Sequence, residues 1–164
     1  MIMEDVFQKL PPFERALALA AVYHAEQKDK EGIPYIHHVL RVMMGVDQEE
    51  EKIVALLHDL IEDTPLTGED LERLGFQEEI IESVKLLTRV GEEDYMVYVR
   101  RLAQDPWARQ VKLSDLRDNQ RRGRVESQGS LEEEARLKKY QEAERFLNEI
   151  PLKDETQEEK KEQP

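Results

Sequence analysis

Between residues 56 and 64 the chain reads Leu56-Leu57-His58-Asp59-Leu60-Ile61-Glu62-Asp63-Thr64, with four proton- or metal-active side chains in six positions. They sit in an apolar run, Ile53 to Leu57 with Leu60 and Ile61, too dense for a surface helix and suited to a central one. On one helix, His58 and Glu62 stand at i and i+4, and so do Asp59 and Asp63. Two adjacent columns then each carry a ligand-type residue with a carboxylate one turn on. Burying that many ionisable groups costs several kcal/mol per charge unless they are paired or bind a cation. Two readings follow: a buried ion-pair cluster or frayed helix end before Pro65, or a site that holds a metal and moves protons. Ligand-type residues elsewhere favour the second. Of the four histidines, His24, His37, His38 and His58, His38 opens one predicted helix and His58-Asp59 lies on the next. Asp115 lies on a later one, and three helices of a bundle can aim such residues at one interior point. Two imidazoles and two carboxylates suit Mn²⁺, Fe²⁺, Co²⁺ or Zn²⁺ better than Ca²⁺ or Mg²⁺. Four protein ligands on an octahedral ion leave positions for a water and a substrate oxygen, and the ion draws that water's pKa towards neutrality.

Helices must position these residues, and the chain reads almost wholly as helices. Pro11-Pro12 opens the first, with Phe13, Ala16, Leu17, Ala20, Ala21 and His24 at helical spacing. A charged turn over 26–32 leads through Gly32-Ile33-Pro34-Tyr35-Ile36-His37-His38 into a second helix that runs to Gly45. Asp47-Gln48-Glu49-Glu50 places acids at the positive end of the central helix, which Pro65 ends. Thr67 caps a short helix closed at Gly75, and Ile80, Ile81, Val84 and Leu87 mark one face of the next. Tyr95, Tyr98, Val99 and Leu102 mark another helix, and Asp105-Pro106 opens the one that holds Val111, Asp115 and Asn119. Ser130 and Glu133 form a capping box for the last, with Leu137, Tyr140, Ala143, Leu147 and Ile150 inward. The expected fold class is all-α: one domain over 1–150, then a charged, disordered tail over 151–164.

Composition narrows the partners. A net charge of −13 and a pI near 4.8 argue against a general binder of nucleic acid or anionic membranes. A phosphate substrate must therefore be attracted locally, by a metal or a few Lys and Arg. There is no cysteine for disulfide or thiol chemistry. No run approaches the roughly 18 apolar residues of a membrane span, and the 13–23 stretch lacks a signal peptide's layout. The expectation is a soluble, cytoplasmic protein acting on a small molecule.

The order His38, His58-Asp59, Asp115 resembles that of HD-domain metal-dependent phosphohydrolases. Four fuller strings are similar to the hydrolase domain of RelA/SpoT-type proteins: Ala21-Val22-Tyr23-His24-Ala25-Glu26-Gln27; the Gly32–His38 and Leu56–Thr64 strings; and Val111-Lys112-Leu113-Ser114-Asp115-Leu116-Arg117-Asp118-Asn119. The similarity spans roughly residues 13–150 and, with no synthetase segment present, is to the single-domain small alarmone hydrolases. It implies an HD-domain helical bundle that removes pyrophosphate from the 3′ position of guanosine 3′,5′-bis(diphosphate), leaving GDP. It implies one divalent metal, Mn²⁺ first, held by His38, His58, Asp59 and Asp115, with His37 outside the ligand set. Glu62 and Asp63 would orient or deprotonate the attacking water and handle the leaving group's proton. Asn119 would reach the nucleoside, and Arg136 and Tyr140 would close the pocket from the last helix. Lys28, Lys30 and Arg89 are candidate phosphate contacts, while Arg117, Arg121, Arg122 and Arg124 read as a solvated face. Two positions depart from the family pattern: Val39 replaces a proline, and Asp29, flanked by Lys28 and Lys30, replaces a basic residue beside the guanine. The alternatives are an HD phosphohydrolase for another nucleotide (a deoxynucleoside monophosphate or phosphorylated dinucleotide cofactor) and a non-catalytic nucleotide sensor. A plain helical scaffold would hold no stoichiometric metal.

Overall fold

The computed structural model describes residues 3–126 and 130–152, without the side chains of 3–5 and 123–126. From residue 153 the expected tail lies outside the described residues. The described chain forms α1 (Met3–Lys9), α2 (Pro12–Tyr23), α3 (Ile36–Met44), α4 (Glu49–Leu57) and α5 (Leu60–Asp63). It continues through α6 (Gly68–Arg73), α7 (Glu78–Leu87), α8 (Tyr95–Leu102), α9 (Pro106–Glu126) and α10 (Leu131–Glu149). Among the described residues the one β-type pairing is an isolated bridge between Lys28 and Pro34. The all-α expectation holds. Among these residues no helix is long and apolar enough to cross a membrane.

The apolar run is the core of the molecule. Val54, Ala55, Leu56 and Leu57 are fully buried, and α4 packs against α2, α3, α7 and α9. Its start is fixed by Glu51, whose Oε2 accepts the backbone N–H of Asp47 and of Gln48 at 3.2 and 3.1 Å. A Leu56→Ala variant should lose about 2–5 kcal/mol of stability, because packing on all sides leaves a cavity that cannot collapse. Urea unfolding at unchanged m-value measures it; a loss below about 1 kcal/mol would contradict this view of the core.

The helix expected to run on to Pro65 is broken. His58 and Asp59 form a turn between α4 and α5, with Asp59 at φ −102° and ψ −2°. The cause is local: His58 Nδ1 donates to Ala55 O at 2.6 Å, the carbonyl that a continuing helix offers to the Asp59 N–H. The Asp63 N–H still reaches Asp59 O at 2.9 Å, so the one-turn relation between these two acids survives.

Helix caps follow the sequence closely. Thr67 and Asp70 cap α6 reciprocally, Asp105 Oδ1 accepts the Ala108 N–H at 2.7 Å, and Ser130 Oγ accepts the Glu133 N–H at 3.3 Å. On α10, Ala143 and Leu147 are buried, whereas Leu137, Tyr140 and Ile150 are half-buried. Helix α1 was not expected. It is docked by buried Arg15 of α2, whose guanidinium donates to Phe7 O, Gln8 O and Leu10 O on one side and to Leu74 O and Gly75 O on the other. Gly75 has φ +81°, and an added Cβ would lie 3.1 Å from Arg15 Nη1, so glycine serves both the turn and the approach. The end of α3 is pressed on α9: Ser114 Oγ donates to Val42 O at 2.8 Å, and a Cβ on Gly45 would collide with that hydroxyl. This contact brings His38 of α3 within reach of Asp115 of α9.

Candidate functional site

His38, His58 and Asp115 are buried, and one donor atom of each lies within 4.8 Å of the others. His38 Nε2 is 3.3 Å from Asp115 Oδ1 and 3.9 Å from Asp59 Oδ2. His58 Nε2 is 2.9 Å from Asp59 Oδ2. Three of the four predicted residues, His38, His58 and Asp115, therefore come together, and Asp59 stands beside the two histidines from the break after α4. His37 is exposed and stands apart.

The ring nitrogens are already sorted. His58 commits Nδ1 to Ala55 O, and His38 Nδ1 lies 2.7 Å from Asp118 Oδ2, so both rings turn Nε2 towards the shared space. His58 Nε2 is buried and, despite its nearness to Asp59, is out of line for a hydrogen bond. A buried nitrogen without a partner, facing a second imidazole and two carboxylates, fits a divalent cation.

Fixed donors position the carboxylates. Asp59 Oδ2 accepts from Tyr35 Oη at 2.6 Å. Asp115 Oδ1 accepts from Asn119 Nδ2 and Oδ2 from Lys112 Nζ, both at 2.7 Å. Asp118 is held by Arg41, through Nε at 2.6 Å and Nη2 at 3.1 Å. Burial works against charge on Asp115, but Lys112 and the His38 ring hold its carboxyl well below the usual range. Burial likewise opposes charge on His38, yet hydrogen bonds to Asp115 and Asp118 prevail and hold its pKa up at about 9.

Glu62 and Asp63 lie at the rim on α5, both exposed. Glu62 Oε2 accepts the Arg89 N–H at 3.0 Å, and Gln27 Nε2 donates to Asp63 O at 3.1 Å. Asp63, open to solvent on one side and backed by protein on the other, is raised to about 6 by partial desolvation and then by the charges of Asp59 and Glu62. The four predicted substrate contacts, Lys28, Asn119, Arg136 and Tyr140, line one cavity of about 250 Å³. Tyr35, Asp29, Lys30 and Arg122 complete its wall. Because Tyr35 and Asn119 also bind Asp59 and Asp115, this cavity adjoins the metal-type cluster. Arg89 is not in that wall; its Nη2 donates to Glu93 O. Of the arginines read as a solvated face, Arg117 pairs with Glu144 and Arg121 is exposed, but Arg122 pairs with Asp29; the Arg124 side chain lies outside the described residues.

Sequence reasoning missed the residues that hold these side chains in place. Tyr35 is three positions before His38, and Lys112 and Asp118 stand three positions either side of Asp115. That one-turn spacing was the available signal. Nothing in the sequence pointed to Arg41 as the partner of Asp118.

No protein-family model matches the chain. It is 38% identical over 126 residues to a guanosine-3′,5′-bis(diphosphate) 3′-pyrophosphohydrolase of Aquifex aeolicus, covering 68% of this chain and 18% of that protein. It is 35% identical over 141 residues to a GTP pyrophosphokinase of Streptomyces coelicolor, covering 77% of this chain and 16% of that one. The chain thus spans less than a fifth of these two relatives. With the guanosine-3′,5′-bis(diphosphate) 3′-pyrophosphohydrolase MESH1 of Drosophila melanogaster it shares 32% identity over 124 residues, covering 66% of this chain and 68% of that protein. Its fold is similar to the solved structure of a metazoan orthologue of SpoT that hydrolyses ppGpp and plays a role in starvation responses. The TM-score is 0.68 at 25% identity, covering 84% of this chain and 85% of that one.

Proposed function

Since the chain belongs to the RelA/SpoT-like HD-domain family of guanosine-3′,5′-bis(diphosphate) 3′-pyrophosphohydrolases, we propose that it hydrolyses guanosine 3′,5′-bis(diphosphate) to GDP and pyrophosphate. The observation that carries this is the placement of the convergent His38, His58 and Asp115 donors beside a cavity walled by Lys28, Lys30 and Arg136. On this reading His38, His58, Asp59 and Asp115 hold one divalent cation, Mn²⁺ first. Such an ion supplies positive charge to phosphoryl oxygens and makes a nearby water more acidic.

The chain's own residues do the rest. Tyr35, Lys112, Asn119 and Asp118 fix the ligand side chains, so little reorganisation is needed as charge develops. Glu62 orients the attacking water and accepts its proton. The water oxygen bonds to the 3′ phosphorus, the phosphorus bond to O3′ breaks, and O3′ takes a proton to become the hydroxyl of GDP. Asp63, raised to about 6, can carry that proton near neutral pH. Lys28 and Arg136 counter phosphate charge, and Asn119 and Tyr140 hold the nucleoside.

The test is pyrophosphate release from a nucleotide panel by Mn²⁺-loaded protein. Release from the bis(diphosphate) alone is expected, reduced about 10²–10⁴-fold in Glu62→Ala with metal content unchanged. Phosphate release from a different nucleotide would replace the substrate and keep the chemistry. Tight binding of the bis(diphosphate) without turnover would make the protein a sensor.

A further inference from the structure

The end of α2 and the short α5 meet at Gln27. Its N–H donates to His24 O at 3.0 Å, and its carbonyl accepts the Tyr35 N–H at 2.9 Å. Its amide Oε1 lies 2.7 Å from His24 Nδ1, and its Nε2 donates to Asp63 O at 3.1 Å. Main chain and side chain thus serve different parts of the site. The main chain braces Tyr35, which holds Asp59, whereas the amide reaches the end of α5, the helix that carries Glu62 and Asp63. α5 is one turn long, too short to keep its place without such outside contacts.

The two ends of that amide are not interchangeable. A carbonyl only accepts, so Asp63 O requires the N–H end of Gln27, which leaves Oε1 to face the imidazole. His24 Nδ1 must then carry the ring's hydrogen, and Nε2 keeps a bare lone pair. His24 is 1% exposed, and its Nε2 meets no partner among the described residues. Burial holds its pKa below the usual histidine value, so the ring stays neutral. It packs on the Tyr35 ring with centroids 5.2 Å apart, which limits how far it can turn. The opposite tautomer would draw the Gln27 Nε2 to the ring and set Oε1 against Asp63 O. We infer that His24 is a positioning residue: its Nδ1–H orients the Gln27 amide, and that amide holds the turn bearing Glu62 and Asp63 beside the metal-type cluster. The inference rests on the hydrolase reading above and adds to it a residue outside both the metal-type cluster and the cavity wall.

Three variants of the full chain separate the hydrogen bond from the bulk of the ring. His24→Phe keeps a ring against Tyr35 without the donor. Gln27→Glu keeps an acceptor for His24 but sets a carboxylate oxygen against Asp63 O. His24→Asn gives up the ring but returns an N–H near the place of Nδ1. In Mn²⁺-loaded protein, His24→Phe and Gln27→Glu should each lower kcat about tenfold, with KM within about twofold and metal content unchanged. The double variant should be no worse than either, because both break one chain of contacts. His24→Asn should recover most of the loss. Amide exchange gives a reading that needs no turnover: the Asp63 and Thr64 N–H groups, bonded to Asp59 O and Leu60 O, should exchange about tenfold faster in His24→Phe and Gln27→Glu and near the wild-type rate in His24→Asn. Nitrogen NMR of the wild-type imidazoles should show His24 as the Nδ1–H tautomer. The Nε2–H tautomer would overturn the inference, and so would unchanged exchange in Gln27→Glu. Equal losses in His24→Phe and His24→Asn, or additive losses in the double variant, would assign His24 to packing alone. Loss of bound metal in His24→Phe would route its effect through the ligands and likewise overturn it. In a protein that hydrolyses nothing on the panel, the exchange pattern with its rescue by asparagine would sustain the positioning role while removing the proposed hydrolysis.

Discussion

His58→Ala should abolish stoichiometric metal binding and lower turnover about 10³-fold or more. The ring's Nδ1 is committed to Ala55 O, so its whole contribution to the cluster is Nε2, and no neighbour can replace that atom. A catalytic metal supplies several kcal/mol of charge stabilisation, and about 1.4 kcal/mol is a tenfold in rate. Without the nitrogen, Asp59 and Asp115 face each other across a vacated space, so weak or misplaced metal is the best the site can achieve. Metal content after dialysis and pyrophosphate release, measured on one preparation, check both halves. Full metal occupancy in the variant would remove His58 from the ligand set.

Asp118→Asn should weaken metal binding without altering any ligand, by about 10–100-fold at high pH, as expected when the partner that orients a ligating histidine is lost. The deficit should shrink as pH falls. In the metal-free protein His38 is raised from 6.5 to about 9, burial being outweighed by its bonds to Asp115 and Asp118. Below that value a metal must displace a proton, so wild-type affinity climbs by about tenfold per pH unit from about 7 to 9 and then levels. Asparagine removes one group that holds the proton, so the variant levels at lower pH and competes better near neutrality. Stability runs the other way. A raised histidine pKa stabilises the metal-free fold fully below about 6.5, and that contribution is lost as pH rises through about 9. Metal titrations at pH 7 and above 9 decide the matter; an equal deficit at both would show that Asp118 does not govern the His38 proton.

The parts of the structure legible in sequence were those written in local spacing. The density of Ile53–Leu57 marked the buried helix, and Thr67, Asp105 and Ser130 marked caps, because side-chain oxygens near a helix start act within four residues. The grouping of His38, His58 and Asp115 was legible because each is an ionisable residue in a predicted helix. The break at His58 was not, since periodicity cannot show a side chain taking its own helix's carbonyl. Arg41 and the Asp29–Arg122 pair were hidden for another reason: their partners lie 77 and 93 residues away. A run of arginines on one helix looks solvated until the fold brings a carboxylate to one of them.

Arg15 bears on how the molecule comes apart. One guanidinium receives the carbonyl ends of α1 and of the turn after α6, two segments more than 60 positions apart in sequence. Neither end can open alone without stranding N–H groups of the Arg15 guanidinium, so the two share one opening event although they are far apart in sequence. Amide exchange in α1 and around Gly75 should accordingly follow a common protection, making the amino-terminal helix part of the cooperative body and not a loose leader before Pro11.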